Sequence, residues 1–194
     1  MAKRIIVGMT GATGQIFGVS ALELLRDTAY ESHLVLSEAG AVTLKQELSA
    51  TPQEVIALAT TSYQNRDIGA SIASGSFETA GMLVAPCSMK TLSNIAHGNT
   101  GNLVTRAADV TLKERRPLVV MPREKPFNRI HLQNMLAVTD AGGIIMPPFP
   151  SYYQGTNRVE ETTRRTVARA LNLLGVGIEI EEWHGLSGAS TTDS

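Results

Sequence analysis

The chain has 194 residues, 43% hydrophobic and 18% charged, with a formal net charge of −1. It is long enough for one domain with a substantial core, too ordered in composition for a disordered chain, and too balanced in charge for a broad nucleic-acid footprint. Cys87 is the only cysteine, which excludes an internal disulfide and fits a reducing compartment. The opening "MAKRIIVGMTG" reaches glycine too soon for a signal peptide, and no apolar run approaches the length that spans a bilayer. The reading is a soluble cytoplasmic protein with neither membrane nor nucleic acid as partner.

In chain order, "RIIVGM" reads as a strand that enters the glycine cluster of Gly11, Gly14 and Gly18. "QIFGVSALELLRD" has apolar residues at helical spacing, "SHLVLS" is a second strand, and "AGAVTLKQEL" is helical. "TPQEVIALAT" starts a helix, with Thr51 as N-cap, Pro52 at the first position and Glu54 three residues after the cap. "GMLVAP" is a third buried strand, with a helix from about Ser88 to Ala96. "NLVTRAADVTLKER" is a helix, "PLVVMP" a strand, "IHLQNMLAVTDA" a helix and "GGIIMPP" a strand. "VEETTRRTVARALNLLG" is the last helix, with Gly175 placed to end it. The domain runs over residues 1–186. Residues 187–194 form a small, polar tail expected to be disordered.

Short apolar strands alternating with helices predict an α/β fold: a doubly wound parallel sheet, Rossmann-like or flavodoxin-like, in a single domain. Such sheets bind ligands at the carboxyl ends of their strands. That rule selects Gly11 to Gly14, Ser37, Cys87 to Thr91, Arg123, Glu124 and the stretch from Pro147 to Gly155.

The first loop is compatible with a phosphate or other anion at a helix N-terminus, without identifying the molecule. Glu38 lies 20 residues past Gly18, near where an acidic ribose ligand of a nicotinamide dinucleotide would stand. The spacing, however, is GxxGxxxG rather than GxGxxG, and no tyrosine has a lysine four residues later, as short-chain reductases require. The second loop, "VAPCSMKTLSNIAHG", offers hydroxyls and free amides for another anion or a ring edge. Ser88 alone reads as a helix cap and Cys87 as a small buried hydrophobe. Arg106 and Lys113 are seven residues apart and share a helix face, whereas Arg115 and Arg116 read as a solvated helix end. Arg123, at a strand end, points to a phosphate or carboxylate pocket. "PPFPSYYQG" reads equally as a hydrophobic lid or an oligomer contact. The four histidines lack ligand spacing, and no GxSxG elbow is present, so neither a metal site nor a serine hydrolase is expected.

Taken together, "GMTGATG", "SGSF", "VAPCSMKTL", "RAADVTLKERRPLVVMPRE", "IHLQNMLAVTDAGGIIMPPFPSYY" and "VARALNLLG" closely resemble the flavin prenyltransferases, the UbiX/Pad family. "CSMKTL" and "SGSF" are most similar to the B subunit of bacterial hydroxyarylic acid decarboxylases. The resemblance implies transfer of a dimethylallyl group from dimethylallyl phosphate to N5 and C6 of reduced FMN, without metal. The prenylated FMN would serve a separate UbiD-type decarboxylase, and the assembly would be a homo-oligomer, a dodecamer.

The resemblance also implies residue roles. Gly11, Ala12, Thr13, Ser37, Ser88, Met89, Lys90, Thr91 and Arg123 match FMN-binding positions. Tyr153 and Arg169 match residues holding the dimethylallyl phosphate, and Arg106 and Lys113 match further cations of that pocket. Glu47 and Glu124 match acids implicated in proton transfer, and Trp183 matches a tryptophan near the site. Thr13 stands where many relatives have serine, and Met89-Lys90 where many have Thr-Gly. Two other readings remain: a flavin-dependent decarboxylase of cysteine-containing peptides, whose "PxMNxxMW"-type segment is absent, and a non-catalytic flavin-carrying subunit.

Overall fold

The computed structural model describes residues 3–152, 157–182 and 185. Six strands form one parallel sheet: β1 (Lys3–Met9), β2 (Tyr30–Leu36), β3 (Thr61–Gln64), β4 (Gly81–Cys87), β5 (Leu118–Pro122) and β6 (Ile144–Ile145), in the order β3-β2-β1-β4-β5-β6. The helices are α1 (Gln15–Arg26), α2 (Glu38–Glu47), α3 (Pro52–Ile56), α4 (Met89–Ala96), α5 (Leu103–Lys113), α6 (Arg129–Asp140) and α7 (Val159–Asn172).

Alternation along the strands builds two cores. Ile5, Val7 and Met9 face the side packed by α1 and α7, with Leu34, Leu83 and Val119 beside them. Ile6, Val35, Met82, Val84 and Val120 face the side packed by α4 and α5. Both faces of the sheet are therefore dry, which is why its strands read as continuous apolar runs rather than alternating ones.

The helix ends follow local chemistry. Thr51 and Glu54 form a reciprocal capping box at α3 with Pro52 in its first turn. Gly175, at φ +81°, ends α7: its N–H reaches Asn172 O and that of Val176 reaches Leu171 O, the pattern of a Schellman motif. The expected elements are present, with two differences. β3 is an edge strand of polar, half-exposed residues, "TSYQ", with no apolar run to announce it. β6 contains only two residues. Tyr153, Trp183 and the polar tail 187–194 lie outside the described residues.

The strand order reverses between β1 and β4. β1 leads outward to β2 and β3 on one side, and the chain then returns to place β4 on the other. The loops after β1 and β4 consequently diverge to opposite faces and leave a crevice at their carboxyl ends, where doubly wound sheets hold ligands.

Candidate functional site

Backbone hydrogen bonds join four strand-end segments across the crevice. Ser37 N–H donates to Met9 O at 3.0 Å, Thr10 N–H to Pro86 O at 3.1 Å, and Arg123 N–H to Cys87 O at 3.0 Å. The ends of β2, β1, β4 and β5 are thus adjacent in one row. The structure brings together Gly11, Ala12, Thr13, Ser37, Ser88, Met89, Lys90, Thr91 and Arg123 along a single edge of the sheet, with Glu124 next to Arg123.

Three helices, α1, α2 and α4, begin at this edge, and α1 and α4 are used differently. At α1, Gly14 takes φ +96°, a conformation that favours glycine, and the Gly14 N–H donates to Glu47 Oε2 at 2.8 Å. The Gln15 N–H donates to the same oxygen at 2.9 Å. The anion at the first helix is thus the chain's own carboxylate, supplied from the end of α2. Of the phosphate or other anion that the sequence left open at this N-terminus, the described residues supply a carboxylate. Gly11 also has a packing reason: a Cβ there would lie 2.5 Å from Ala39 Cβ.

The N-terminus of α4 remains open. Ser88 Oγ accepts from Thr91 N–H at 3.3 Å and donates to Thr91 Oγ1 at 3.1 Å. The N–H groups of Met89 and Lys90 meet no acceptor among the described residues, as expected for the first turn of a helix. Ser37 caps α2 in the same manner, accepting from Gly40 N–H at 3.0 Å, and lines a cleft of about 300 Å³ with Tyr63, Asn65 and Arg66. Open amides, capping hydroxyls, a strand-end arginine and adjacent Lys90 fit a ligand combining a phosphate with polar ring edges, as FMN does.

Cys87 is completely buried, and desolvation pushes its thiol well above the ordinary range, so it is a packing residue rather than a nucleophile. His33 is buried on β2 with Nδ1 2.9 Å from Tyr63 Oη. Its ring stands against Tyr63 and Phe77, a structural setting.

The remaining cations lie elsewhere in the protomer. Lys113 is in the last turn of α5 and Arg169 in the last turn of α7. Because these helices run back against the strands, their last turns sit at the amino-terminal edge of the sheet, away from Arg123. They also lie on opposite faces: α5 belongs to one core and α7 to the other. Lys113 pairs with Glu114, and Arg106 donates to Asp109 at 2.9 Å and to Ala73 O at 3.2 Å. Arg169 opens on a cleft of about 1110 Å³ with Phe149 and Ser151. One chain does not bring Lys113 and Arg169 to the flavin-matched residues, whereas Arg106 stands in the first turn of α5, whose start is tied to Asn65 just past the end of β3.

Arg116 departs from its expected solvated role. Its guanidinium donates to Gly75 O at 2.8 Å and Phe77 O at 2.9 Å, clamping the "SGSF" loop. Arg115 has φ +57° at the end of α5. Sequence reasoning also passed over Thr10 and Gln15, which are buried at the base of the glycine loop. The only signal for them was a pair of polar residues flanking "GATG" at the end of an apolar strand.

A Flavoprotein family model matches residues 1–165. The flavin prenyltransferase UbiX of Neisseria meningitidis serogroup B is 48% identical over 188 residues, covering 96% of this chain and all of the relative. The crystal structure of AnUbiX in complex with FMN and dimethylallyl pyrophosphate matches with TM-score 0.89 and 43% identity, over 94% of this chain and 100% of that one. A dodecameric, FMN-dependent UbiX-like decarboxylase of Escherichia coli O157:H7 matches with TM-score 0.90 and 45% identity, again over 94% and 100%. With near-complete coverage at this identity, the chain belongs to the flavin prenyltransferase family.

Proposed function

We propose that this chain transfers a dimethylallyl group from dimethylallyl phosphate to reduced FMN, forming prenylated FMN for a UbiD-type aromatic acid decarboxylase. The observation that carries the reading is the row of strand-end segments at the β1/β4 crevice beside an open α4 N-terminus, in a member of this family. When bound, reduced FMN supplies the nucleophilic N5 and C6.

The chain's own groups account for the rest. Ser88, Thr91 and the first amides of α4 bind the FMN phosphate, with Lys90 adding charge at its rim. Ser37, Ala12 and Thr13 line the ribityl chain and ring, and Arg123 holds a ring edge. Arg106, Lys113, Arg169 and Tyr153 hold the prenyl phosphate and stabilise the charge it gains on leaving, without a metal. Glu124 is the better acid of the two carboxylates matched to proton transfer. Glu47 acts as acceptor in its bonds to Gly14 and Gln15, the role of a cap, whereas Glu124 Oε1 accepts only from its neighbour Lys125 N–H at 3.0 Å among the described residues.

Because Lys113 and Arg169 stand away from Arg123 within one protomer, the substrate pocket is completed by neighbouring copies, in a dodecamer. The exposed apolar side chains support this reading: Phe149, Tyr152, Ile130, Leu132 and Leu136 are each more than half exposed on a single chain.

The test is mass spectrometry of flavin extracted after anaerobic incubation with reduced FMN and dimethylallyl phosphate, then with the diphosphate. Flavin heavier by one five-carbon unit supports the transferase. Unmodified flavin from protein that binds FMN, with both donors, overturns it in favour of a carrier or a peptide decarboxylase. Glu124→Ala separates the classes further, since a carrier has no need of an acid.

A further inference from the structure

We propose that Thr10 and Gln15, neither of them matched to a flavin contact, are positioning residues that set the separation of the two FMN-binding loops. The inference rests on the flavin reading above.

The β1–β4 ladder ends with Gly8 opposite Val84. Two residues later β4 contains Pro86, which has no N–H to donate to a neighbouring strand. Thr10 replaces the missing ladder. Its N–H donates to Pro86 O at 3.1 Å, its hydroxyl donates to the same oxygen at 2.9 Å, and that hydroxyl accepts the Ser88 N–H at 2.8 Å. The hydroxyl thus uses its single proton on the end of β4 and a lone pair on the cap of α4. Its owner is 3% exposed, so water does not compete. A shift of Thr10 relative to Pro86 would move Ser88 to Thr91 relative to Ala12 and Thr13.

Gln15 fixes the other side of this seam. Its side chain is completely buried, and Nε2 donates to Thr10 O at 2.7 Å and Ala12 O at 2.8 Å. These two bonds determine which way the amide faces. They leave Oε1 buried with no partner among the described residues. An unmatched buried acceptor opposes folding. The value of the side chain therefore lies in the two bonds that pin the loop: an apolar residue of similar shape would remove the orphaned Oε1 in exchange for an unpaired Ala12 O, leave Thr10 O with the Ala12 N–H, and free the loop.

The experiment measures FMN affinity by quenching of flavin fluorescence, together with the melting temperature of the flavin-free protein, for the wild type, Thr10→Val, Thr10→Ser and Gln15→Met. Failure of the wild type to bind FMN overturns the flavin reading itself, and the inference with it. With wild-type binding established, Thr10→Val is expected to weaken FMN about tenfold and Thr10→Ser to stay within about twofold of wild type. Gln15→Met is expected to weaken FMN about fivefold or more while melting no lower than wild type. Unchanged affinity in folded Thr10→Val or in Gln15→Met overturns the proposal. So does a Gln15→Met affinity loss accompanied by a lower melting temperature, the mark of a merely structural residue. If Thr10→Val does not fold, Thr10→Ser and Gln15→Met decide on the same criteria.

Discussion

The two edges of the sheet treat their polar groups in opposite ways. At the carboxyl edge, strand ends are tied by backbone bonds and hydroxyls, and the first amides of α4 stay without an acceptor among the described residues. At the amino edge, several charges are satisfied from within. Arg4 donates to Glu31 at 3.1 Å and lies over the Phe77 ring, Arg116 clamps two carbonyls, and Lys113 pairs with Glu114. A ligand site is thus marked by donors left open where the fold could have closed them.

The largest expected effect lies at the closed edge. Arg116→Ala removes charge-assisted bonds to Gly75 O and Phe77 O and should cost about 2–3 kcal/mol of stability. Urea unfolding would register this as a lower midpoint, with FMN affinity unchanged. A variant as stable as wild type would mean that the clamp is decorative and the edges are not so different.

Glu47→Ala tests the one place where the open edge has been closed from inside. Loss of the carboxylate leaves the Gly14 and Gln15 amides unpaired at the start of α1, at a cost of about 2 kcal/mol. For a chain of this size that is a fall of about 4–8 °C in melting temperature. An unchanged melting temperature with lost turnover would instead restore Glu47 as an acid. Ser88→Ala should do the reverse at α4. It removes a cap worth about 1 kcal/mol, and its sharper effect is on ligand: FMN affinity falls about tenfold by titration. Equal FMN affinity would place the phosphate somewhere other than α4.

How far the sequence revealed this arrangement depends on whether the relevant signal was local. The Thr51–Glu54 box, the Gly175 stop and the buried strands were legible because each is written in adjacent residues. β3 was not, because its four residues are half polar and gain their pairing only from β2. The glycine loop leaves its anion unidentified, because that anion is Glu47, 33 residues from Gly14, a partner that no local pattern announces. Thr10 was overlooked for the same reason, since it acts on Pro86 and Ser88 across 76 and 78 positions. The flavin-matched residues could be listed from motif resemblance, but their placement in one row, and the separation of Lys113 and Arg169 from it, follow from strand order and helix direction.

The smallest expected effect is a pH dependence beneath the closed edge. His33 is surrounded by Tyr63 Oη at 2.9 Å, Glu31 Oε2 at 3.7 Å, the Phe77 ring and, beyond Glu31, Arg4. Desolvation holds its pKa below the usual 6.5, outweighing the hydrogen bond and charge of Glu31, which pull the other way, while Arg4 lowers it a little further. In the unfolded chain His33 takes a proton as pH falls through about 6.5; in the folded chain it does so only at lower pH. Between those points the unfolded state binds more protons, so stability declines as pH falls and the decline ends once the folded histidine also titrates. His33→Asn retains an acceptor near Tyr63 and abolishes this titration. Its urea midpoint should therefore approach that of wild type as pH is lowered from 7.5 through 6.5 toward 5. Curves that stay parallel across this range would mean that the Glu31 carboxylate compensates fully for burial, and that this edge is electrostatically indifferent to the proton.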